Sequence, residues 1–239
     1  MIFKNSLNFV DNLFIFIKKK TRYLYLNSSI YNKKISPSNS SSLKYKPSPS
    51  LLDCLIRYDK KKIDIKNYFL NKIWNSPELN TKDYKNLNSF FWLFSLDLKS
   101  SKKDTQNIIL QWMEQNFRYN SKSWEVDIVA KRIISWLSNS KLTYEDSDDD
   151  YKEKFNNIIK KQINHLIYEI KASEWVDDKM IGCSAIILTG LSYQDKDRYL
   201  DVGLNLLKKL VKISLDNDSF PKSRNIRQLN FYLKYFVLI

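Results

Sequence analysis

A chain of 239 residues with 43% hydrophobic and 14% aromatic side chains has enough apolar surface for one or two packed cores, without disulfides or metals to hold them. Three glycines argue against a Gly-rich phosphate loop and a tight-turned all-β fold. A lone histidine, His165, and two distant cysteines, Cys54 and Cys183, argue against a zinc site, so no metal or cofactor is expected. Forty Lys and Arg against 26 Asp and Glu give a net charge of +14, which suits a polyanionic partner. Codon bias towards Lys, Asn, Ile, Tyr and Ser gives the same excess, and beyond Lys18–Lys20 and Lys60–Lys62 no basic block singles out a partner.

Residues 1–26 read as a basic, aromatic-rich helix or arm. Its apolar run Phe14–Ile17 precedes Lys18–Lys20, the reverse of a signal peptide's charge order, and no small-residue cleavage site follows. No apolar stretch approaches the ~20 residues that span a bilayer. The default compartment is therefore the cytoplasm. Residues 27–50, rich in Ser, Asn and Pro, look too polar to bury and read as a linker or a surface strand. The expected division is an arm and linker over 1–45 and a folded domain over 46–239. Residues 61–70 read as a short strand, broken after it by Asn75–Ser76–Pro77.

From Thr81 onward the pattern is helical. Segments 83–98, 104–117, 123–137 and 148–170 each repeat apolar residues at i, i+3, i+4 and i+7. Segment 177–191 is apolar almost all round and carries Gly182, Cys183, Ser184, Ala185 and Gly190, which predicts a buried central helix. Segments 197–215 and 225–239 complete seven helices. The last ends at Tyr235–Ile239 without a polar turn or a terminal Gly, so the chain reads as the front part of something longer. Helices of this length on short loops run antiparallel to their neighbours. The fold class is all-α: helical hairpins in a curved layer or incomplete α/α toroid, with a mostly irregular basic N-terminal arm.

Four clusters bear on chemistry. Arg132 and Trp136 are i, i+4 neighbours, with Trp124 upstream. Such a group suits a carboxylate or a sugar ring, or equally an arginine that satisfies loop carbonyls among core tryptophans. His165 falls at the edge of its apolar arc, without a Ser or Cys partner, and reads as a hydrogen-bonded histidine between helices. Asp177–Asp178 open a helix and suit its free N–H groups and dipole better than the spaced carboxylates of a glycosidase. Ser223–Arg224–Asn225 begins the last helix with a hydroxyl, a cation, an amide and free N–H groups, all suited to an anion.

The order Phe91-Trp92-Leu93-Phe94-Ser95-Leu96-Asp97-Leu98, then Trp124 with Arg132-Ile133-Ile134-Ser135-Trp136-Leu137, then Asp218-Ser219-Phe220-Pro221-Lys222-Ser223-Arg224-Asn225, resembles the N-terminal helical domain of the heparinase II/III family, from about Pro47 to the end. The resemblance implies a toroid that in the family is followed by a β-sandwich domain, and polysaccharide lyases that cleave uronate chains by β-elimination. In that reaction an Asn or Arg neutralises the enolate while Tyr or His moves the protons. It implies an acidic, uronate-containing polysaccharide as partner rather than nucleic acid, and a cell-envelope location as the alternative to the cytoplasm. It names Asn225 as a catalytic residue and Trp124, Arg132, Trp136 and Arg224 as substrate-binding residues. The chain departs from the family where Asp177–Asp178 replace an Asn-His pair, Ile226 replaces a proline, and Gln228 stands near the expected tyrosine. Little turnover is expected of this chain alone. The rival class is a non-enzymatic basic domain that binds an anionic membrane surface or nucleic acid through residues 1–26 and the linker.

Overall fold

Ten α-helices and no strand make up the described residues of the computed structural model, which are 2–37, 42–47, 74, 81–96, 101–193 and 198–239, with the side chains of 2–11 left aside. The expected strand at 61–70, its break at 75–77 and Cys54 lie outside them. The helices are α1 (Ile2–Leu26), α2 (Ser29–Ile35), α3 (Thr81–Ser89), α4 (Lys102–Asn116), α5 (Val126–Ser138), α6 (Ser140–Thr143), α7 (Asp149–Glu169), α8 (Val176–Tyr193), α9 (Tyr199–Ser214) and α10 (Ile226–Leu238). Side-chain caps set several starts: Ser28 accepts from the Tyr31 amide, Ser101 from Asp104, Asp148 from Tyr151 and Asn225 from Arg227.

Helix α8 is the hub. It packs against α5, α7, α9 and α10, and its residues from Met180 to Gly190 are all buried. An all-round apolar sequence needs neighbours on every side, and α8 has them. Its glycines let two of those neighbours come close. A Cβ on Gly190 would lie 2.7 Å from the Leu200 backbone nitrogen, whereas one on Gly182 would meet side-chain atoms, Ile170 Cδ1 at 2.5 Å and Cγ1 at 3.3 Å and Leu166 Cδ1 at 3.5 Å. Gly190→Ala should therefore destabilise by about 2 kcal/mol, because backbone must move. Gly182→Ala should cost clearly less, because a side-chain tip can turn away. Chemical denaturation of the two variants checks the order.

Two elements differ from the sequence expectation. The helix expected over 83–98 stops at Ser89. Phe90 takes a left-handed conformation (φ 57°), and Phe91–Ser95 form a 3-10 turn. A straight helix would bury one face, but the turn buries Phe90, Trp92, Leu93 and Phe94 together, with Phe90 against Trp74, Trp112 and Trp136. That burial offsets the ~1 kcal/mol of an unfavourable φ. The N-terminal arm, expected to be mostly irregular, is helical over Ile2–Leu26 and Ser29–Ile35. The stretch read as too polar to bury in fact buries Tyr31, Ile35 and Leu43 in the main core, because a few well-spaced apolar residues anchor it between polar ones.

Among the described residues no helix is long and apolar enough to cross a membrane, and no three His, Cys, Asp or Glu side chains group as a metal ion requires. Cys183 is buried with its Sγ–H donating to the Gly203 carbonyl at 3.3 Å, and burial pushes its thiol up to about 12, so it stays protonated and unreactive.

Candidate functional site

The N-termini of α5 and α8 open onto one cleft of about 560 Å³. Trp124, Glu125 and Asp127 line it from the turn before α5 and from its first turn. His165 and Glu169 come from α7, and Trp175 and Asp178 from the start of α8. Arg22 at the end of α1 and Lys85 on α3 complete the wall. Helix N-termini present unsatisfied N–H groups and a positive dipole end, which favours carboxylates there, from the protein or from a ligand.

The start of α10 is tied to the edge of the cleft through side chains. Ser223 Oγ donates to Gln228 Oε1 at 2.5 Å, and Gln228 Nε2 donates to Asp177 Oδ1 at 2.9 Å. The Ser-Arg-Asn turn is thereby tied to the first turn of α8, next to the cleft residue Asp178.

Ion pairs balance most of the cleft's acids. Arg22 pairs with Glu169, Lys85 with Glu125, and Asp127 lies 3.3 Å from Lys131 and 3.8 Å from Lys85. The hydrogen bond to Glu125 raises the Lys85 pKa above the usual lysine value. Burial, and then the nearby Asp127 carboxylate, raises the Asp178 pKa, so this acid holds its proton more readily than an ordinary aspartate. Trp175 stands 72% exposed beside it, an indole face open to stacking.

His165 in the cleft wall is hydrogen-bonded at both ring nitrogens. Tyr31 O–H donates to His165 Nδ1 at 2.8 Å, and His165 Nε2–H donates to the Trp124 carbonyl at 2.9 Å. A carbonyl only accepts, so the proton sits on Nε2 and the Tyr31 hydroxyl must be the other donor. With both nitrogens engaged, His165 has no free lone pair to act as a base. It is the hydrogen-bonded histidine between elements that its position on α7 implied.

The five residues named from sequence fall in three places. Trp124 lines the cleft, though its ring is almost wholly covered and its Nε1–H donates to the Asn116 carbonyl at 3.3 Å. Arg132 and Trp136 are 0% exposed, which corrects their reading as substrate-binding residues. Arg132 Nη1 donates to the Asn88 carbonyl at 2.7 Å, Nη2 to the Ser123 carbonyl at 3.0 Å and Nε to Gln162 Oε1 at 3.1 Å. Its guanidinium lies 4.0 Å from the Trp112 ring centre. It is the loop-satisfying arginine, stacked on Trp112 rather than on Trp136. Trp136 packs between Phe90, Trp112 and Phe155. Arg224 and Asn225 are exposed. Arg224 pairs with Asp216 at 2.9 Å, and Asn225 Oδ1 caps α10 by accepting from the Arg227 amide at 2.9 Å.

Sequence reasoning missed Arg22, Lys85, Glu125, Asp127, Glu169 and Trp175. All are ordinary charged or aromatic residues, most of them near a helix end, and only the packing of α1, α3, α5, α7 and α8 brings them together. The one usable signal was Trp175, which stands two residues before Asp177 with no apolar repeat to explain it. Comparison of the chain with family models, with curated proteins and with solved structures gives no match to any of them.

Proposed function

We propose that this chain is the helical domain of a heparinase II/III-like protein, built on an incomplete α/α toroid, and that the cleft end of its helix layer binds acidic, uronate-containing polysaccharide. The observation that carries the reading is convergence. Trp124, the Asp177–Asp178 pair and the Ser223–Asn225 turn come from three distant segments, yet the cleft and the Ser223–Gln228–Asp177 hydrogen bonds bring them together around the cleft. Helix N-termini, Arg22 and Lys85 offer donors to a carboxylate, and Trp175 offers a sugar-stacking face.

The departures from the family pattern bear on turnover. Asp177 and Gln228, which stand where the family has an Asn-His pair and a tyrosine, hydrogen-bond each other. The pair fits a site that holds substrate more than one that moves protons. Asn225 is the residue assigned to the uronate carboxylate, because its Oδ1 is used in the cap and Nδ2 is the donor it can offer.

The test is affinity for uronate oligosaccharides. Arg224→Ala and Asn225→Ala should each weaken binding about tenfold, the worth of one charge-assisted hydrogen bond. Arg224→Ala should leave the melting temperature nearly unchanged, since an ion pair this exposed adds little to stability. Unchanged affinity in both variants would remove the Ser223–Asn225 turn from the site.

A second reading has one observation in its favour. The carboxylates Glu125, Asp127, Glu169 and Asp178 all face the cleft, and Asp178 is biased towards its protonated form, as a glycosidase general acid must be. New reducing ends without an unsaturated uronate product would favour hydrolysis over β-elimination.

A further inference from the structure

We infer that α1 docks on an anionic lipid surface, with its apolar side chains in the headgroup boundary and its lysines against the lipid phosphates. The helix projects a patch that its own fold leaves uncovered. Leu13, Phe16, Ile17 and Leu24 share one face by helical spacing, and each is between 47% and 60% exposed. Phe14 beside that face is 73% exposed. Five consecutive apolar residues in water, Leu13 to Ile17, form a patch that calls for an occupant.

Charge selects the occupant. Asp11 is followed by no Asp or Glu until Asp53, and between them Lys18, Lys19, Lys20, Arg22, Lys33 and Lys34 fall on or just after the helix. Lys20 lies within the apolar face, its Nζ 5.9 Å from the Phe16 ring centre, an arrangement that lets a long stem lie along apolar surface while the ammonium reaches a headgroup. A protein groove selects a narrow apolar stripe with matching acids at its rim. A lysine-bordered helix whose one acid, Asp11, precedes the apolar run, with aromatic residues on several sides, matches an anionic membrane boundary instead.

The C-terminal end of α1 is anchored on the body. Tyr25 packs on Tyr31 and Tyr168 with ring centres 5.2 and 6.3 Å apart, and Arg22 pairs with Glu169. Arg22 and Glu169 also line the cleft, so a membrane-bound α1 brings the cleft to the lipid surface. The inference is independent of the polysaccharide reading.

Co-sedimentation of the full chain with phosphatidylcholine vesicles, with and without phosphatidylglycerol, tests it. Binding is expected only with the anionic lipid. Lys18→Gln/Lys19→Gln/Lys20→Gln should weaken it about a hundredfold. Phe14→Asp/Phe16→Asp should weaken it by at least as much, with an unchanged thermal melt because these side chains are exposed. Equal binding to neutral vesicles, or none to either, overturns the inference. So does self-association abolished by Phe14→Asp/Phe16→Asp without vesicle binding, which makes a second copy the occupant. Nucleic-acid binding that needs the lysines but not the phenylalanines, again without vesicle binding, also overturns it.

Discussion

Arg132→Ala should lower the unfolding free energy by about 4 kcal/mol, the largest effect expected of any exchange considered for this chain. Three carbonyl-type acceptors, on Asn88, Ser123 and Gln162, would lose their donors inside a region shut off from water, and a void would open beside Trp112. For a chain of this size that loss corresponds to a melting temperature lower by about 10 °C. Arg132→Lys should not restore stability, because one ammonium cannot serve three acceptors arranged around a planar fork. Arg132→Met keeps much of the volume and removes the cost of burying a cation, so it should fall between wild type and Ala. Denaturant melts of the three variants check the order. A loss below about 1 kcal/mol for Arg132→Ala would mean that the network is not structural and would return Arg132 to the list of ligand-binding candidates.

The second large effect is on pH dependence. Burial lowers the His165 pKa from 6.5 to about 4, even though the Trp124 carbonyl works in the opposite direction. Between those values the unfolded chain takes up a proton that the folded chain refuses, so stability must fall as the pH drops from about 6.5 towards 4. The full loss is about 3 kcal/mol. His165→Gln, which keeps a donor and an acceptor but cannot titrate, should flatten the stability profile across this window. Carboxylates such as Asp178 titrate in both proteins, so the difference between the two profiles isolates the histidine. Identical slopes would contradict the buried, neutral state of His165 and reopen a proton-transfer role for it.

The sequence signals that worked and those that did not differ in kind. Helical periodicity found seven of the eight described α-helices from Thr81 onward and missed only the single turn Ser140–Thr143, because an amphipathic or all-round apolar pattern is local and needs several turns to show. It also picked out α8 as the central helix. The break at Phe90 was not legible, since nothing local asks a phenylalanine to adopt a left-handed backbone. The demand comes from Trp74, Trp112 and Trp136, which are separated in sequence and converge in space. The arm failed for a similar reason: Tyr31 is buried by a partner 134 residues away, His165. For Arg132, residue type and spacing allowed both a ligand contact and a structural role, and only the burial of its three acceptors decides between them. The tie between Asp177 and Gln228 was also invisible. Each looked like a single departure from a pattern, whereas in the fold they are partners.

The central claim is the proposal that the cleft and the adjoining Ser223–Asn225 turn recognise a uronate carboxylate. It is tested most directly by calorimetric titration of the full chain with a uronate oligosaccharide and with the same oligosaccharide after reduction of its carboxylates to alcohols. The account predicts saturable, one-site binding of the uronate form, weakened in Asn225→Ala and at least tenfold weaker for the reduced sugar. Equal affinity for both forms, or none for either, would contradict it and leave the cleft to a neutral or cationic ligand.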